Sequence, residues 1–137
     1  MLNEQVRSVN NFFCFNVRKY NRKITWFFDE HLKKLGIRST QIYLLLALSE
    51  GGKSLVQTSE NLGMDRSTLS RGFRRLEKIG LIKRIHSEDG RSKIYALTDY
   101  GKDMAKKGTV LLQEAQDITV GLLGNERYAR LSEDLSL

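Results

Sequence analysis

The chain has 137 residues, 23 Lys and Arg against 16 Asp and Glu, a formal net charge of +7 and one cysteine. The length suggests one domain, or one subunit of an oligomer, with enough chain for a core. The charge favours an anionic partner. A single cysteine excludes an internal disulfide, and no apolar run reaches the roughly 18 residues of a membrane span.

The start, Met1-Leu2-Asn3-Glu4-Gln5, lacks the basic-then-apolar pattern of a secretion signal, so a cytoplasmic protein with no membrane partner is expected. Val6, Val9, Phe13, Val17, Tyr20, Ile24, Phe27, His31 and Leu35 then step by three and four. That spacing predicts one long amphipathic helix ending near Gly36. Phe12, Phe15, Trp26 and Phe28 add apolar surface beside the stripe. One domain of this size can hardly cover so much, which points to a partner subunit.

Ser39 can cap a second helix, Thr40 to about Ser49, and Gly51-Gly52 breaks it. Ser54-Leu55 reads as a short strand and Gln57 to Leu62 as a short third helix. Gly51-Gly52-Lys53-Ser54 lacks the earlier glycine of a phosphate loop, so it is a chance match.

The stretch Gly63 to Ile82 is the most informative. Asp65 can cap a helix, and Gly63 and Gly80 can stop the helices before and after it. Leu69, Phe73, Leu76 and Ile79 form a buried stripe at helical spacing. Arg66, Ser67, Thr68, Arg71, Arg74 and Arg75 fall largely outside it. The first turn thus offers hydroxyls and guanidinium groups, which suit base edges and phosphates. From Gly63 to Lys93 nine basic residues face four acidic ones, and nine minus four is +5, most of the excess charge of the chain.

Leu81 to His86 and Arg91 to Leu97 flank Ser87-Glu88-Asp89-Gly90, the pattern of a β-hairpin with Arg91 and Lys93 at its tip. Thr98 can cap a long helix in which Met104, Leu111, Ala115, Ile118 and Leu122 make a near-heptad seam for another helix or subunit. Gly124 interrupts it, and Asn125 starts a short last helix with Tyr128, Leu131 and Leu135. With no proline, the helices can run without kinks.

From roughly Phe12 to Leu123 the chain resembles the MarR family of winged helix-turn-helix transcription regulators. The residues that carry the resemblance are Leu35 to Gln41, Leu62 to Arg71, Leu76 to Ile82, Asp89-Gly90-Arg91 and Leu97 to Gly101, in that order and spacing. It implies a fold that is mainly α with a small β-hairpin wing: a winged helix-turn-helix lobe at about 37–98, and a dimerisation layer from helices at about 4–36 and 99–137. It implies a homodimer on double-stranded DNA at a pseudo-palindromic operator, its half-sites about one helical turn apart. The resemblance further implies that the Asp65 to Ile79 helix lies in the major groove and the Asp89–Arg91 wing at the adjacent minor groove. Small phenolic or aromatic carboxylate effectors are common in the family, and no residue selects one.

Two departures stand out. Val56 occupies the position of a capping Ser or Thr, and Thr58 that of a buried Leu, so a less firmly packed third helix is expected. The last helix is short and the chain ends at Leu137, so a smaller dimer contact is expected there.

Ser67, Thr68 and Arg71, with Arg66 and Ser70 beside them, are the candidates for groove contacts. Arg71 suits a bidentate bond to guanine. Arg75 is placed on a phosphate; Arg74 stays open between phosphate and solvent. Arg91 suits the negative potential of a narrow minor groove, and the resemblance gives Asp89 the task of orienting it.

Cys14, in Phe12-Phe13-Cys14-Phe15, looks like the first-helix cysteine of the organic-hydroperoxide-sensing branch of the family. The supporting tyrosines of that branch would fall at Phe28 and Ser39, which carry no phenol. Flanking phenylalanines favour a packed, protonated thiol over a redox switch. His31, expected toward the dimer layer, and His86, expected at the base of the wing, form no metal site. No nucleophile–base set, paired catalytic carboxylates or cofactor loop is present.

The reading is a non-enzymatic, cofactor-free, ligand-responsive repressor acting as a homodimer. The alternatives are a thiol-based peroxide sensor using Cys14, and a winged-helix protein-interaction module that does not bind DNA.

Overall fold

The computed structural model describes residues 8–136. Val6 of the expected stripe lies outside them. A single 3₁₀ turn, Val9–Asn11, precedes helix α1, Phe13–Leu32. Between them Phe12 is extended (φ −90°, ψ 122°), so the first helix starts inside the apolar stripe rather than at its beginning. The Ser8 hydroxyl accepts the Asn10 N–H, and Asn16 Nδ2 donates to the Asn10 carbonyl at 2.7 Å; local bonds thus end the helix at Phe13. After α1 a second 3₁₀ turn, Lys33–Leu35, closes on Gly36 in the left-handed conformation (φ 67°).

Helix α2, Ser39–Ala47, includes Ser39 instead of being capped by its hydroxyl. The Ser39 N–H and hydroxyl both donate to Asp29 Oδ1, each at 2.7 Å. The Gln41 side chain accepts the Arg38 N–H at 3.0 Å and so closes the helix start.

Strand β1 (Lys53–Ser54) runs directly into helix α3 (Leu55–Leu62), which begins two residues before the expected start. The Ser54 hydroxyl accepts the Gln57 N–H at 3.2 Å, and Gln57 Oε1 accepts the Ser54 N–H at 2.9 Å. This reciprocal cap supplies what Val56 lacks. Thr58 is fully buried, but its hydroxyl donates to the Ser54 carbonyl at 2.9 Å. Both departures in this helix are therefore compensated locally.

Helix α4 spans Arg66–Lys78. Strands β2 (Ile82–His86) and β3 (Lys93–Leu97) form the hairpin, and β1 joins its far side, giving an antiparallel sheet of order β1-β3-β2. Helix α5 (Asp99–Leu123) starts where the Thr98 hydroxyl accepts the Gly101 N–H at 3.0 Å, and helix α6 (Asn125–Leu135) ends the chain.

Phe28 and Leu32 of α1 meet Ile42, Leu45 and Leu48, then Leu69, Phe73 and Leu76 of α4, in one core closed by Leu81, Ile82, Met104 and Leu111. Each fully buried side chain of this size contributes roughly 1.5–3 kcal/mol. Two expectations are corrected here. Ile79 is exposed, because the helix has already ended there (φ −89°, ψ 3°) and its side chain leaves the stripe. The α5 seam divides: Met104, Leu111 and Ala115 are buried in the core of this chain, while Ile118 and Leu122 are exposed. No helix among the described residues is long and apolar enough to cross a membrane.

Candidate nucleic-acid interface

The site begins with the turn between α3 and α4. Gly63 takes the left-handed conformation (φ 61°) that ends α3, and Asp65 starts α4 two residues later. Asp65 Oδ2 accepts the Thr68 N–H at 2.9 Å and the Ser67 hydroxyl at 2.7 Å. Hydrogen bonding by Thr68, and after it by Ser67, holds the Asp65 carboxyl far below the usual carboxylate range. Asp65 is therefore a fixed anion that sets the start of the helix and pins Ser67.

Arg71 Nη2 donates to Thr68 Oγ1 at 3.2 Å, so Ser67, Thr68 and Arg71 form one exposed network. The Ser67 proton is committed to Asp65, which leaves its oxygen as an acceptor. The Thr68 oxygen accepts from Arg71. Arg71 keeps four of its five N–H groups free. Together they present donor and acceptor groups of the kind that read base edges.

Arg66, Arg74 and Arg75 are exposed on the same helix, whereas Ser70 is half-buried and less available than the sequence suggests. Of the nine basic residues from Gly63 to Lys93, only Arg84 has a carboxylate partner among the described residues. The other eight are exposed, five of them on α4.

The hairpin tip is ordered by Asp89, whose Oδ1 accepts the Ser87 hydroxyl at 2.6 Å and the backbone N–H of Arg91 at 3.1 Å. These bonds, Ser87 first, hold the Asp89 carboxyl below its usual range. The expected role of Asp89 is thereby altered: it shapes the turn and grips the Arg91 backbone, while the exposed Arg91 guanidinium has no carboxylate partner among the described residues. His86 is the last residue of β2, on the tip side of the hairpin and not at its base.

Sequence reasoning missed the residue that ties wing to helix. Arg84 forms a two-point bridge to Glu77, with Nε 3.0 Å from Oε1 and Nη2 donating to Oε2 at 3.1 Å. The usable signal was the opposite charges on either side of the Gly80 stop, where the chain doubles back along α4.

Cys14, expected to be packed, is exposed in the first turn of α1. Phe28 is buried in the core, and the Ser39 hydroxyl is held by Asp29. His31 Nδ1 is bonded to the Phe27 carbonyl oxygen at 2.9 Å. Between α1 and the start of α2 lies an open recess of about 680 Å³, whose lining includes Arg22, Trp26, Asp29, Arg38 and Gln41.

Residues 38–84 match the family model of bacterial regulatory proteins of the arsR family. Over 129 residues the chain is 33% identical to the organic hydroperoxide resistance transcriptional regulator of Bacillus subtilis (strain 168), covering 93% of this chain and 82% of that protein. A probable transcriptional regulator from Pseudomonas aeruginosa superposes with a TM-score of 0.84 and 24% identity, over 94% of this chain and 98% of that one. A mutant MarR from E. coli complexed with operator DNA superposes with a TM-score of 0.80 and 22% identity, over 88% of each chain.

Proposed function

The chain belongs to the MarR family of winged helix-turn-helix transcription regulators, DNA-binding proteins and not enzymes, and from that premise we propose that it is a homodimeric, operator-binding repressor. The observation that carries this reading is the set of exposed basic residues on α4, with Arg91 at the hairpin tip, none of them in an ion pair among the described residues. Buried or internally paired arginines would serve the fold; exposed unpaired ones on a capped helix serve a polyanion.

In this reading Arg66, Ser67, Thr68 and Arg71 enter the major groove with the half-buried Ser70 at their edge, Arg75 holds a phosphate, and Arg91, on a turn shaped by Asp89, enters the minor groove. The lobe at about 37–98 carries the DNA contacts, and the helices at about 4–36 and 99–137 pair two subunits on a twofold operator. With DNA as partner the protein works in the cytoplasm.

The recess beside Trp26 supports a small effector. Its indole offers a stacking face, and Arg22 and Arg38 offer charge for a carboxylate, so an aromatic acid fits its chemistry. Such a ligand releases DNA only through unequal affinity for the two spacings of the recognition helices.

The test is duplex binding against salt. A protein that neutralises several phosphates weakens steeply as salt rises. An Arg71→Ala/Arg91→Ala variant is expected to lose binding and flatten the slope. Equal binding by that variant rejects the reading and leaves the wing as a protein-interaction module.

One observation favours a second reading. Cys14 is exposed where oxidants reach it, and the Bacillus subtilis relative is named for organic hydroperoxide resistance. Here Cys14 oxidation, through a sulfenic acid, is the signal. Hydroperoxide then releases wild type from DNA and spares Cys14→Ser; equal responses exclude it.

A further inference from the structure

The Glu77–Arg84 pair differs in kind from the other ion pairs of the described residues. Lys33–Glu30, Lys53–Glu50, Lys102–Asp99, Lys107–Asp103 and Arg130–Glu126 all join neighbours three or four positions apart. Glu77–Arg84 joins α4 to β2, seven positions apart, and does so through a fork.

The contact belongs to a closed circuit. The Arg84 guanidinium lies 5.8 Å from the centre of the Tyr95 ring. Tyr95 is the cross-strand partner of Arg84 on β3. Its ring in turn lies 4.7 Å from that of Phe73, fully buried on α4. Phe73 and Glu77 are one helical turn apart, so the hairpin is held to the recognition helix at two points on one face.

Energetics exclude stability as the main effect. The Glu77 side chain is 31% exposed and that of Arg84 50% exposed, and pairs so solvated contribute little to folding. What a forked guanidinium–carboxylate pair does fix is direction. Direction matters here because β2 is an edge strand and the turn beyond it has no sheet partner. At about 3.3 Å per residue the tip stands roughly 15 Å beyond Arg84, so a tilt of about 10° displaces Arg91 by roughly 3 Å. That is a whole hydrogen-bond length.

We infer that Glu77 and Arg84 are positioning residues for DNA recognition: their fork sets the angle of the wing to α4, so that Arg91 and the first turn of α4 reach their two grooves together. Arg84, although basic and within the cationic segment, is not a phosphate ligand. The inference rests on the operator-binding reading above.

The experiment measures affinity for a duplex selected by wild type from a random library. The proteins are wild type, Glu77→Gln, Arg84→Lys, Arg91→Ala and the Glu77→Gln/Arg91→Ala double variant. Removing a negative charge near DNA should tighten binding by simple electrostatics. Positioning demands the reverse: Glu77→Gln weakens binding about tenfold, as loss of one well-placed arginine contact would. Arg84→Lys, which keeps the charge and loses the fork, does the same. Arg91→Ala weakens wild type but changes the Glu77→Gln protein by less than about twofold, since its contact is already lost. Unfolding midpoints close to wild type accompany these losses.

Glu77→Gln binding as tightly as wild type or more tightly, or effects of Glu77→Gln and Arg91→Ala that simply add, overturns the positioning role. If Glu77→Gln does not fold, Arg84→Lys carries the same comparison. A wild type without affinity for duplex DNA, or an Arg91→Ala variant that binds normally, overturns the operator-binding reading and this inference with it. A harmful Arg91→Ala beside a silent Glu77→Gln overturns this inference alone.

Discussion

Asp29 and Ser39 are joined twice: the N–H and the hydroxyl of Ser39 both donate to Asp29 Oδ1, each at 2.7 Å. This single oxygen ties the last part of α1 to the first turn of α2. Ser39 is only 2% exposed, so nothing else replaces the acceptor. Asp29→Ala leaves a buried donor pair unsatisfied and is expected to cost about 1–3 kcal/mol in urea unfolding. Asp29→Asn keeps a carbonyl oxygen that can accept both bonds and should lose less. An alanine variant as stable as wild type would show that the tie contributes nothing.

Asp65 makes a prediction about pH. Its hydrogen bonds depress the folded-state pKa, so the cap stabilises fully above the unfolded value near 4 and is lost as pH falls toward the depressed one. Asp65→Asn retains a capping oxygen that does not titrate. The midpoint difference between wild type and this variant should therefore shrink from about pH 4 down to pH 2, at constant ionic strength. A difference flat across that range rejects the charged cap.

The elements that local chemistry determines were legible in the chain. Asp65, Thr98, Gly63 and Gly80 mark helix ends with their own side chains or backbones, and their predicted places agree with the fold. Ser39 looked like a cap because nothing local reveals Asp29, ten residues back. Ile79 fitted the apolar spacing, but spacing does not say where a helix stops. The cap at Ser54 was hidden because the family pattern drew attention to Val56, two residues too late. At the candidate site the exposed arginines were visible as composition. The Glu77–Arg84 fork was not, because it depends on β2 folding back along α4.

Two glycines of α5 should behave oppositely. A Cβ on Gly101 would fall within the Leu81 carbonyl oxygen, a rigid backbone atom that already accepts the Thr98 N–H at 3.1 Å. Gly101→Ala is expected to destabilise by about 3 kcal/mol, since neither partner can move. A Cβ on Gly121 meets nothing within 4 Å. Gly121→Ala should gain about 0.5–1 kcal/mol from helix propensity and a less free unfolded chain. Urea titration of both variants checks the sign; equal effects would mean that the contact of α5 with Leu81 is loose.

The last prediction concerns the surplus apolar surface. Phe13 of α1, Leu122 of α5 and Leu135 of α6 are 83%, 81% and 79% exposed, all on the terminal helices. Apolar side chains left in water on three neighbouring elements are the expected face of a second subunit. Sedimentation equilibrium should give twice 15.8 kDa, or 31.6 kDa. Leu122→Glu should return the protein to a monomer, because a carboxylate buried without a partner is costly at an interface. Its DNA affinity should fall by about a hundredfold or more, since two lobes no longer act on one duplex. Ile79→Glu is the control: Ile79 is exposed too, but it follows α4 and lies outside the terminal helices, so the dimer should persist. A Leu122→Glu protein that stays dimeric would move the interface away from α5, and a wild type of 15.8 kDa would leave the twofold operator without a twofold reader.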